Sequence, residues 1–180
     1  MIKTRSELKI CLKTEKEIYF AKDQYLKLLV TGDVKIQIFR YIKLLRKVEY
    51  HHNNRSLFHK IMYTLYIRKK NKLGIKLGIE MWDNTFDVGL TIYHAGNIVV
   101  NGASIIGKNC MLHGSNCIGN SGKSFDAPII GDNVRIGVGA KVIGNIQIAS
   151  NITIAAGAVV VNSFYEEGIT IGGVPAKKIK

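Results

Sequence analysis

His94 is the residue of this sequence whose type and position most clearly suggest chemistry. Steps of six residues from Val88 reach His94 and then Val100, Ile106 and Leu112, so the histidine takes a place that aliphatic residues otherwise fill. A neutral imidazole that faces a cleft can act as a general base, whereas a buried imidazole with hydrogen-bond partners has a structural role. The pattern leaves both interpretations open.

A second histidine and a glycine-containing loop are the other candidates. His113 follows Leu112, so its side chain should point outward at a corner of the chain. No third ligand accompanies the two histidines at a spacing suited to zinc, and we therefore expect no metal site. Gly122-Lys123-Ser124 matches the end of a phosphate-binding loop, but Cys117 stands where its first glycine belongs. This departure argues against a nucleoside triphosphate site.

The residues around these candidates repeat with a period of six. Ser124 interrupts the pattern inside a polar loop over 120–128, and the aliphatic steps then resume. They fall at Ile130, Ile136, Val142, Ile148, Ile154 and Val160. A period of six fits neither an α-helix nor a single long strand. It fits a parallel β-helix, in which triangular coils place the aliphatic residue inside and a small residue at each corner.

The N-terminal part of the chain has a helical pattern instead. Thr4 begins a predicted capping box, and Asp33 is a predicted N-cap for a helix over residues 34–50. The domain prediction is therefore a helical N-terminal region over 1–72 and a β-helix domain over 73–180.

Positive charge is concentrated in the helical region. Residues 1–80 hold 19 of the 26 Lys and Arg residues and seven of the 13 Asp and Glu residues. Such a surface attracts polyanions, including anionic lipid headgroups and phosphate-bearing substrates, although charge can also serve solubility alone. The chain has no apolar run of the roughly 18 residues that a membrane span needs and no signal-peptide pattern. With three cysteines at unpaired spacings, we expect a cytoplasmic protein with reduced thiols.

Taken together, these features resemble a known family. The repeats, the Gly122-Lys123-Ser124 loop and the ending Gly172-Gly173-Val174-Pro175-Ala176-Lys177 are similar to the hexapeptide-repeat acyltransferases, and among them to the serine O-acetyltransferase branch. The resemblance covers the chain from about Gly78 onward. It implies a mainly β fold, a left-handed parallel β-helix preceded by a small α-helical N-terminal region. It also implies a homotrimer and acetyl-CoA as co-substrate, without a metal.

The resemblance assigns catalytic and cofactor-binding roles. The segment around His94 is similar to the one that carries the family's catalytic histidine, so His94 is the implied general base. Glu80 stands where the family has the aspartate that orients this histidine. The residues implied to bind the CoA arm are Val138, Ala156, Val161 and Asn162, with Lys177 at the CoA phosphates.

The acceptor site is where the sequence departs from the family. Tyr93 replaces an aspartate before the catalytic histidine, and Asp126-Ala127 replace an Arg-His pair before Pro128. Tyr93, Asp126 and His113 are the candidate substrate-binding residues. Because a cation for an amino-acid carboxylate is lost and a carboxylate can accept hydrogen bonds from sugar hydroxyls, we expect a sugar acceptor in a bacterial surface polysaccharide or its lipid-linked precursor.

Two alternatives remain open at this point. The first is a serine O-acetyltransferase of cysteine biosynthesis, which would need another cation for the serine carboxylate. The second is a β-helix scaffold or binding protein without catalysis, in which His94 only packs. As partners we expect a small-molecule or lipid-linked acceptor and peripheral contact of the basic helices with an anionic membrane surface, but not nucleic acid.

Overall fold

The computed structural model describes residues 1–21 and 24–180, which form two compact units, Met1–Gly78 and Ile79–Lys180. The helices of the first unit are α1 (Arg5–Tyr19), α2 (Gln24–Thr31), α3 (Val34–His52) and α4 (Leu57–Leu77). The expected boundary at 72 therefore lies too early, because α4 continues until Gly78 adopts a left-handed conformation as its C-cap. Glycine tolerates this backbone without strain, and no earlier residue of α4 supplies such a stop.

Helix α1 begins as the sequence predicts. The Thr4 side chain accepts a hydrogen bond from the Glu7 backbone, and the Glu7 carboxylate accepts one from the Thr4 backbone. Helix α3 begins at Val34 after Asp33, whose carboxylate accepts a hydrogen bond from the Lys35 backbone. Both caps satisfy backbone N–H groups that have no partner within the helix.

Helix α3 forms the core of the first unit. Its side chains Ile38, Ile42, Leu45 and Val48 are fully buried. Arg46 is buried as well, and its guanidinium contacts Glu15 of α1 at 2.7 Å and Glu49 at 2.9 Å. A buried cation is tolerated only when carboxylates compensate its charge, so this cluster ties α1 to α3. Among the described residues, no helix is long and apolar enough to cross a membrane.

The second unit is built of short strands, most of them two or three residues long. In chain order they are β1 (Ile79–Met81), β2 (Thr91–Ile92), β3 (Ile98–Val100), β4 (Ile105–Ile106), β5 (Met111–Leu112), β6 (Cys117–Gly119), β7 (Ile129–Ile130), β8 (Arg135–Ile136), β9 (Lys141–Ile143), β10 (Gln147–Ile148), β11 (Thr153–Ile154), β12 (Val159–Val160), β13 (Thr170–Gly173) and β14 (Ala176–Lys178).

The strands stack into three sheets. Sheet A has the order β1-β3-β6-β9-β12, sheet B the order β4-β7-β10, and sheet C the order β2-β5-β8-β11-β13-β14. All pairs are parallel except β13 with β14. The chain passes from A to B to C and back to A, so each coil has three corners. We call the stacked corners the A/B, B/C and C/A edges.

Each sheet contributes one inward column to a common core. In sheet C, Ile92, Leu112, Ile136, Ile154 and Ile171 are all 1% exposed or less. Sheet A contributes Met81, Val100, Ile118, Val142 and Val160, which are equally buried. Stacked coils thus bury one continuous apolar column that no single coil could bury, as the period of six predicts.

The first coil departs from the predicted phase. Leu112 pairs with Ile92 and not with His94, and Phe86 rather than Val88 is buried opposite Ile106. Val100 follows eight residues after Ile92, whereas Ile118 follows six residues after Leu112. Two extra residues therefore extend the C/A corner, and His94 does not occupy an inward position. The interpretation of His94 as a replaced core residue is wrong for this reason.

Asparagines hold the B/C edge. Asn109, Asn133 and Asn151 all have positive φ, between 56° and 64°, a conformation that asparagine tolerates better than other non-glycine residues. The Asn109 amide donates to Asn133 at 2.9 Å, Asn133 donates to Asn151 at 3.0 Å, and Asn151 donates to Glu167 at 3.1 Å. This asparagine ladder links consecutive coils from Asn109 to Glu167.

Candidate active site

Tyr93, His94 and His113 lie together at the C/A edge. Tyr93 and His113 directly follow the paired residues Ile92 and Leu112, so the coil stacking places one above the other. Their rings are parallel, with centroids 4.5 Å apart and 17° between the planes. The predicted substrate-binding residues Tyr93 and His113 thus meet beside the predicted base.

The His113 ring is partly enclosed. Its Nε2 atom is buried and has no hydrogen-bond partner within the chain. Burial lowers the pKa of His113, and the positive charges of Arg135 and His94 lower it further. His113 is therefore held in its neutral form over a wider pH range than an isolated histidine. His94 lies near His113, because a Cβ on Gly114, the residue after His113, would approach the His94 Cβ to 3.2 Å.

His94 is exposed on the outer surface of the corner. Gly114 of the next coil lies beneath it, and a Cβ built on Gly114 would approach the His94 Cβ to 3.2 Å. Gly114 also has a φ of +113°, which side-chain-bearing residues rarely adopt. A glycine at this position therefore leaves room for His94, and the imidazole reaches solvent.

A strip of small residues leads away from the histidines along the same edge. The positions below Tyr93 and His113 are Gly137, Ala155 and Gly172. Val138 and Ala156, two of the predicted CoA-binding residues, are exposed beside this strip. The four strand spacings from Tyr93 to Gly172 make the strip about 19 Å long, and Lys177 pairs with Gly172 at its far end. An extended ligand could lie along it from His94 to Lys177.

Other predicted site residues lie at a different edge. Val161 and Asn162 follow β12 of sheet A, and Asp126 lies in the loop between β6 of sheet A and β7 of sheet B. All three are therefore at the A/B edge. One Asp126 carboxylate oxygen accepts a hydrogen bond from Asn145 at 3.4 Å. A single chain does not bring these residues to the histidines.

Glu80 points outward from sheet A. It lies in β1, next to Val99 of β3, and its side chain is exposed. Within the described parts of the chain, neither Glu80 nor His94 makes a hydrogen bond or ion pair through its side chain. The orienting contact of Glu80 with His94 is not formed within one chain and stays a prediction.

Sequence reasoning missed Arg135. It occupies an outward position of sheet C between Met111 and Thr153, and its charge acts on His113. The signal available in the sequence was a lone arginine before an inward isoleucine, Ile136. The period of six marks that position as outward but does not show which coil lies next to it.

No cluster of three or more His, Cys, Asp or Glu residues suited to a metal ion occurs in residues 1–21 and 24–180. The Gly122-Lys123-Ser124 segment lies in the exposed loop between two strands. It does not lead into a helix N-terminus, the context in which such a motif binds phosphate.

Comparison with known proteins places these features among serine acetyltransferases, although no family model matches the chain. A serine acetyltransferase of Staphylococcus xylosus is 35% identical over 134 residues, which are 68% of this chain and 61% of that protein. One of Synechococcus elongatus is 36% identical over 93 residues, 51% of this chain and 38% of that protein. The chain thus spans less than two thirds of these relatives.

Solved structures agree with the sequence comparison. Serine acetyltransferase of Neisseria gonorrhoeae superposes with a TM-score of 0.75 at 29% identity, over 98% of this chain and 68% of that chain. Its complex with serine gives a TM-score of 0.75 at 27% identity, over 98% and 70%. The left-handed β-helix preceded by a helical region is thereby confirmed.

The expectation of a polysaccharide sugar as acceptor is wrong. The relatives and the superposed structures are named serine acetyltransferases, and none of the names above refers to a sugar or a lipid-linked acceptor. The expectation depended on Asp126 as an acceptor for sugar hydroxyls, but this carboxylate accepts a hydrogen bond from its own chain and lies away from His94.

Both the stacked coils and the matched residues lead to the same classification. The chain belongs to the hexapeptide-repeat acyltransferase superfamily, and within it is similar to the serine acetyltransferases.

Proposed function

We propose that the protein is an acetyl-CoA-dependent O-acetyltransferase whose acceptor is the hydroxyl of L-serine. The observation that carries this proposal is the exposed imidazole of His94 at the C/A edge, beside the enclosed His113 and at one end of a strip of small residues. The similarity to serine acetyltransferases over 68% of the chain supports the choice of acceptor.

In the proposed reaction, His94 acts as general base. Its neutral imidazole takes the proton of the serine hydroxyl as the oxygen attacks the thioester carbon. The new C–O bond forms, the C–S bond breaks, and the proton passes from His94 to the CoA sulfur as it leaves. The products are O-acetylserine and free CoA. Tyr93 and His113 form the wall against which the acceptor lies.

The strip along the C/A edge is the proposed CoA site. Val138 and Ala156 are exposed there and leave the backbone accessible to a narrow chain. Lys177 at the far end would meet the CoA phosphates with its positive charge. The reaction would take place in the cytoplasm, where acetyl-CoA is supplied.

A homotrimer would complete the site. The proposed residues divide between the C/A edge and the A/B edge of one chain, so the A/B edge of a neighbouring copy could face the C/A edge and bring Asp126, Val161 and Asn162 to His94. Ile105 and Ile129 support association, because these neighbours on the outer face of sheet B are 62% and 43% exposed. Adjacent apolar side chains on an outer sheet face favour burial against another copy.

The test is a thiol-release assay with acetyl-CoA and a panel of hydroxyl acceptors. We expect release with L-serine and much slower release with D-serine, L-threonine and neutral alcohols. Absence of L-serine turnover, together with rapid turnover of an acceptor that lacks an amino acid group, would overturn the proposal.

A further inference from the structure

Within the proposed function, an amino-acid acceptor requires a cation for its carboxylate. The two residues directly before Pro128, Asp126 and Ala127, supply no cation. Leaving a carboxylate without a counter-charge in a partly enclosed site is costly. Another basic residue near His94 is therefore needed.

Most lysines of the second unit are not positioned to bind the acceptor carboxylate. Lys178 pairs with Glu166 at 2.6 Å. Lys123 lies in the loop at the A/B edge, so within one chain it is not near the histidines. The Lys141 ammonium lies at the C/A corner but is engaged there, because it donates to the Gly139 carbonyl at 3.3 Å. Lys108 lies at the B/C edge, on the other side of sheet C from His94.

Arg135 differs from these lysines. It is exposed on sheet C, the sheet whose strands β2 and β5 lead into Tyr93 and His113. In the part of the chain that the structure describes, its side chain has no hydrogen bond, ion pair or ring contact. The C/A corners, residues 93–97, 113–116, 137–140 and 155–158, contain no Asp or Glu that could compete for it.

We propose that Arg135 binds the carboxylate of the amino-acid acceptor and so holds the acceptor hydroxyl between Tyr93–His113 and His94. An arginine suits this role because its planar guanidinium donates two parallel hydrogen bonds to a carboxylate. The site then selects α-amino acids with a hydroxyl side chain through a residue that lies outside the loop.

Electrostatics supports the placement. The positive charge of Arg135 lowers the pKa of His113, and the register is consistent with this effect, because Arg135 pairs with Met111, two residues before His113. The charge of His94 acts on the same ring. The pKa of His113 therefore depends on the charges of both groups. A carboxylate bound to Arg135 would partly cancel the lowering that Arg135 causes.

The experiment compares ligand binding and turnover in wild type, Arg135→Met and Lys108→Met, the last as a matched removal of one exposed charge at the B/C edge. The histidine C2–H resonances are followed by NMR during titration with L-serine and with L-serinamide, which lacks the carboxylate. We expect Arg135→Met to weaken L-serine binding about 10- to 100-fold, the range for a charge-assisted hydrogen-bonded pair. It should leave L-serinamide binding unchanged, and Lys108→Met should change the binding of neither ligand.

The pKa of His113 gives an independent readout. Removal of the Arg135 charge should raise the pKa of His113 in Arg135→Met, whereas Lys108→Met should leave it as in wild type. The same pKa in both variants would show that the guanidinium does not face the ring and would overturn the assignment.

The outcomes for the assignment and for the proposed function are distinct. L-Serine binding and turnover that are unchanged in Arg135→Met would overturn the assignment and keep the function. If L-serine binding depends on Arg135 but the wild type releases no thiol, the assignment of Arg135 would be supported and the proposed acetyltransferase function would be overturned. A wild-type protein that neither binds nor acetylates L-serine would contradict both.

Discussion

The imidazole of His113 is stacked on the ring of Tyr93, with centroids 4.5 Å apart and 17° between the planes. Two consecutive coils contribute the pair, because the backbones of Ile92 and Leu112 are in register. One face of the imidazole is thereby shielded from water beside the exposed His94. The register of the β-helix therefore sets the protonation of a residue in the proposed acceptor site.

Removing the Tyr93 ring should change this protonation. In Tyr93→Ala the His113 ring becomes more exposed, and because burial is the largest cause of its lowered pKa, that pKa should rise. NMR titration of the histidine C2–H resonances measures the change. Tyr165→Ala, which removes an exposed ring elsewhere, is the control, and an unchanged pKa of His113 in Tyr93→Ala would contradict the shielding argument.

Replacement of the proposed base should abolish turnover selectively. We expect His94→Ala to lower kcat about 100- to 10,000-fold, the usual contribution of a general base, while CoA binding is retained. Thiol release and equilibrium binding of CoA measure the two effects. His52→Ala, in the helical unit, should behave as wild type; near-normal turnover in His94→Ala would remove this histidine from the mechanism.

A large side chain in the small-residue strip should block the cofactor. Ala156 is exposed, so Ala156→Trp can fold with the indole lying over the strip. The KM for acetyl-CoA should rise at least about tenfold, since one tenfold step corresponds to about 1.4 kcal/mol of lost binding, with the KM for L-serine little changed. Ala21→Trp, at an exposed position of the other unit, controls for the added ring. An equal rise of both KM values would point to distortion rather than blockage.

The buried cluster around Arg46 should dominate the stability of the helical unit. Arg46→Ala leaves Glu15 and Glu49 buried without their cation, and breaking such a cluster costs about 3–5 kcal/mol of unfolding free energy. Urea unfolding followed by helical circular dichroism measures the loss. Arg40→Ala, at an exposed position of the same helix, should cost less than about 0.5 kcal/mol, and similar losses in the two variants would refute this view.

A pair of histidines should make the helical unit sensitive to mild acid. The Nδ1 atoms of His51 and His59 are 2.8 Å apart, so one must donate and the other accept. Burial, followed by the charges of His59 and Lys47, lowers the pKa of His51. Below the ordinary histidine value of about 6.5 the unfolded chain then binds more protons than the folded chain. The free energy of unfolding should therefore fall as the pH decreases from about 6.5, until the folded pKa has been passed.

Urea unfolding at about pH 7.5 and about pH 5.5 tests this dependence. His51→Phe should lose less stability between these two conditions than wild type, because it removes the group that must be protonated. His52→Phe, at an exposed position next to it, should keep the wild-type dependence. The lowered pKa of His113 also makes the protein less stable in mild acid. The effect of His51 is therefore measured as the difference between the variants. An acid sensitivity equal in all three proteins would exclude His51 as its source.

The β-helix could be predicted from the sequence because the same six-residue pattern recurs in coil after coil. Leu112, Ile136 and Ile154 occupy the inward positions that the period of six assigns to them, even though the loop over 120–128 intervenes. A constant step of six residues does not account for one corner that is two residues longer than the others. Counting by six therefore assigns His94 to an inward position. The exposed histidine is thus a consequence of a local change in coil length.

The site was only partly predictable for a related reason. Residue type and family resemblance identified His94, Tyr93 and His113, which the structure brings to one edge. Which residues of other coils lie beside them depends on register, so the sequence marked Arg135 as outward but did not show that it lies one coil from His113. Asp126 and Val161 lie at another edge, and chain order alone does not reveal such a separation.

The asparagine ladder limits where this chain can change in length. Along the B/C edge six residues separate the inward positions of sheets B and C, from Ile106 to Leu112 and from Ile130 to Ile136, and an amide joins each corner to the next. An added residue there would break two rungs at once, whereas the A/B edge holds the nine-residue loop over 120–128 and the C/A edge holds the extra pair beside His94. Insertions are therefore best tolerated at the A/B and C/A edges, where the proposed site residues lie, whereas the B/C edge has to keep its length.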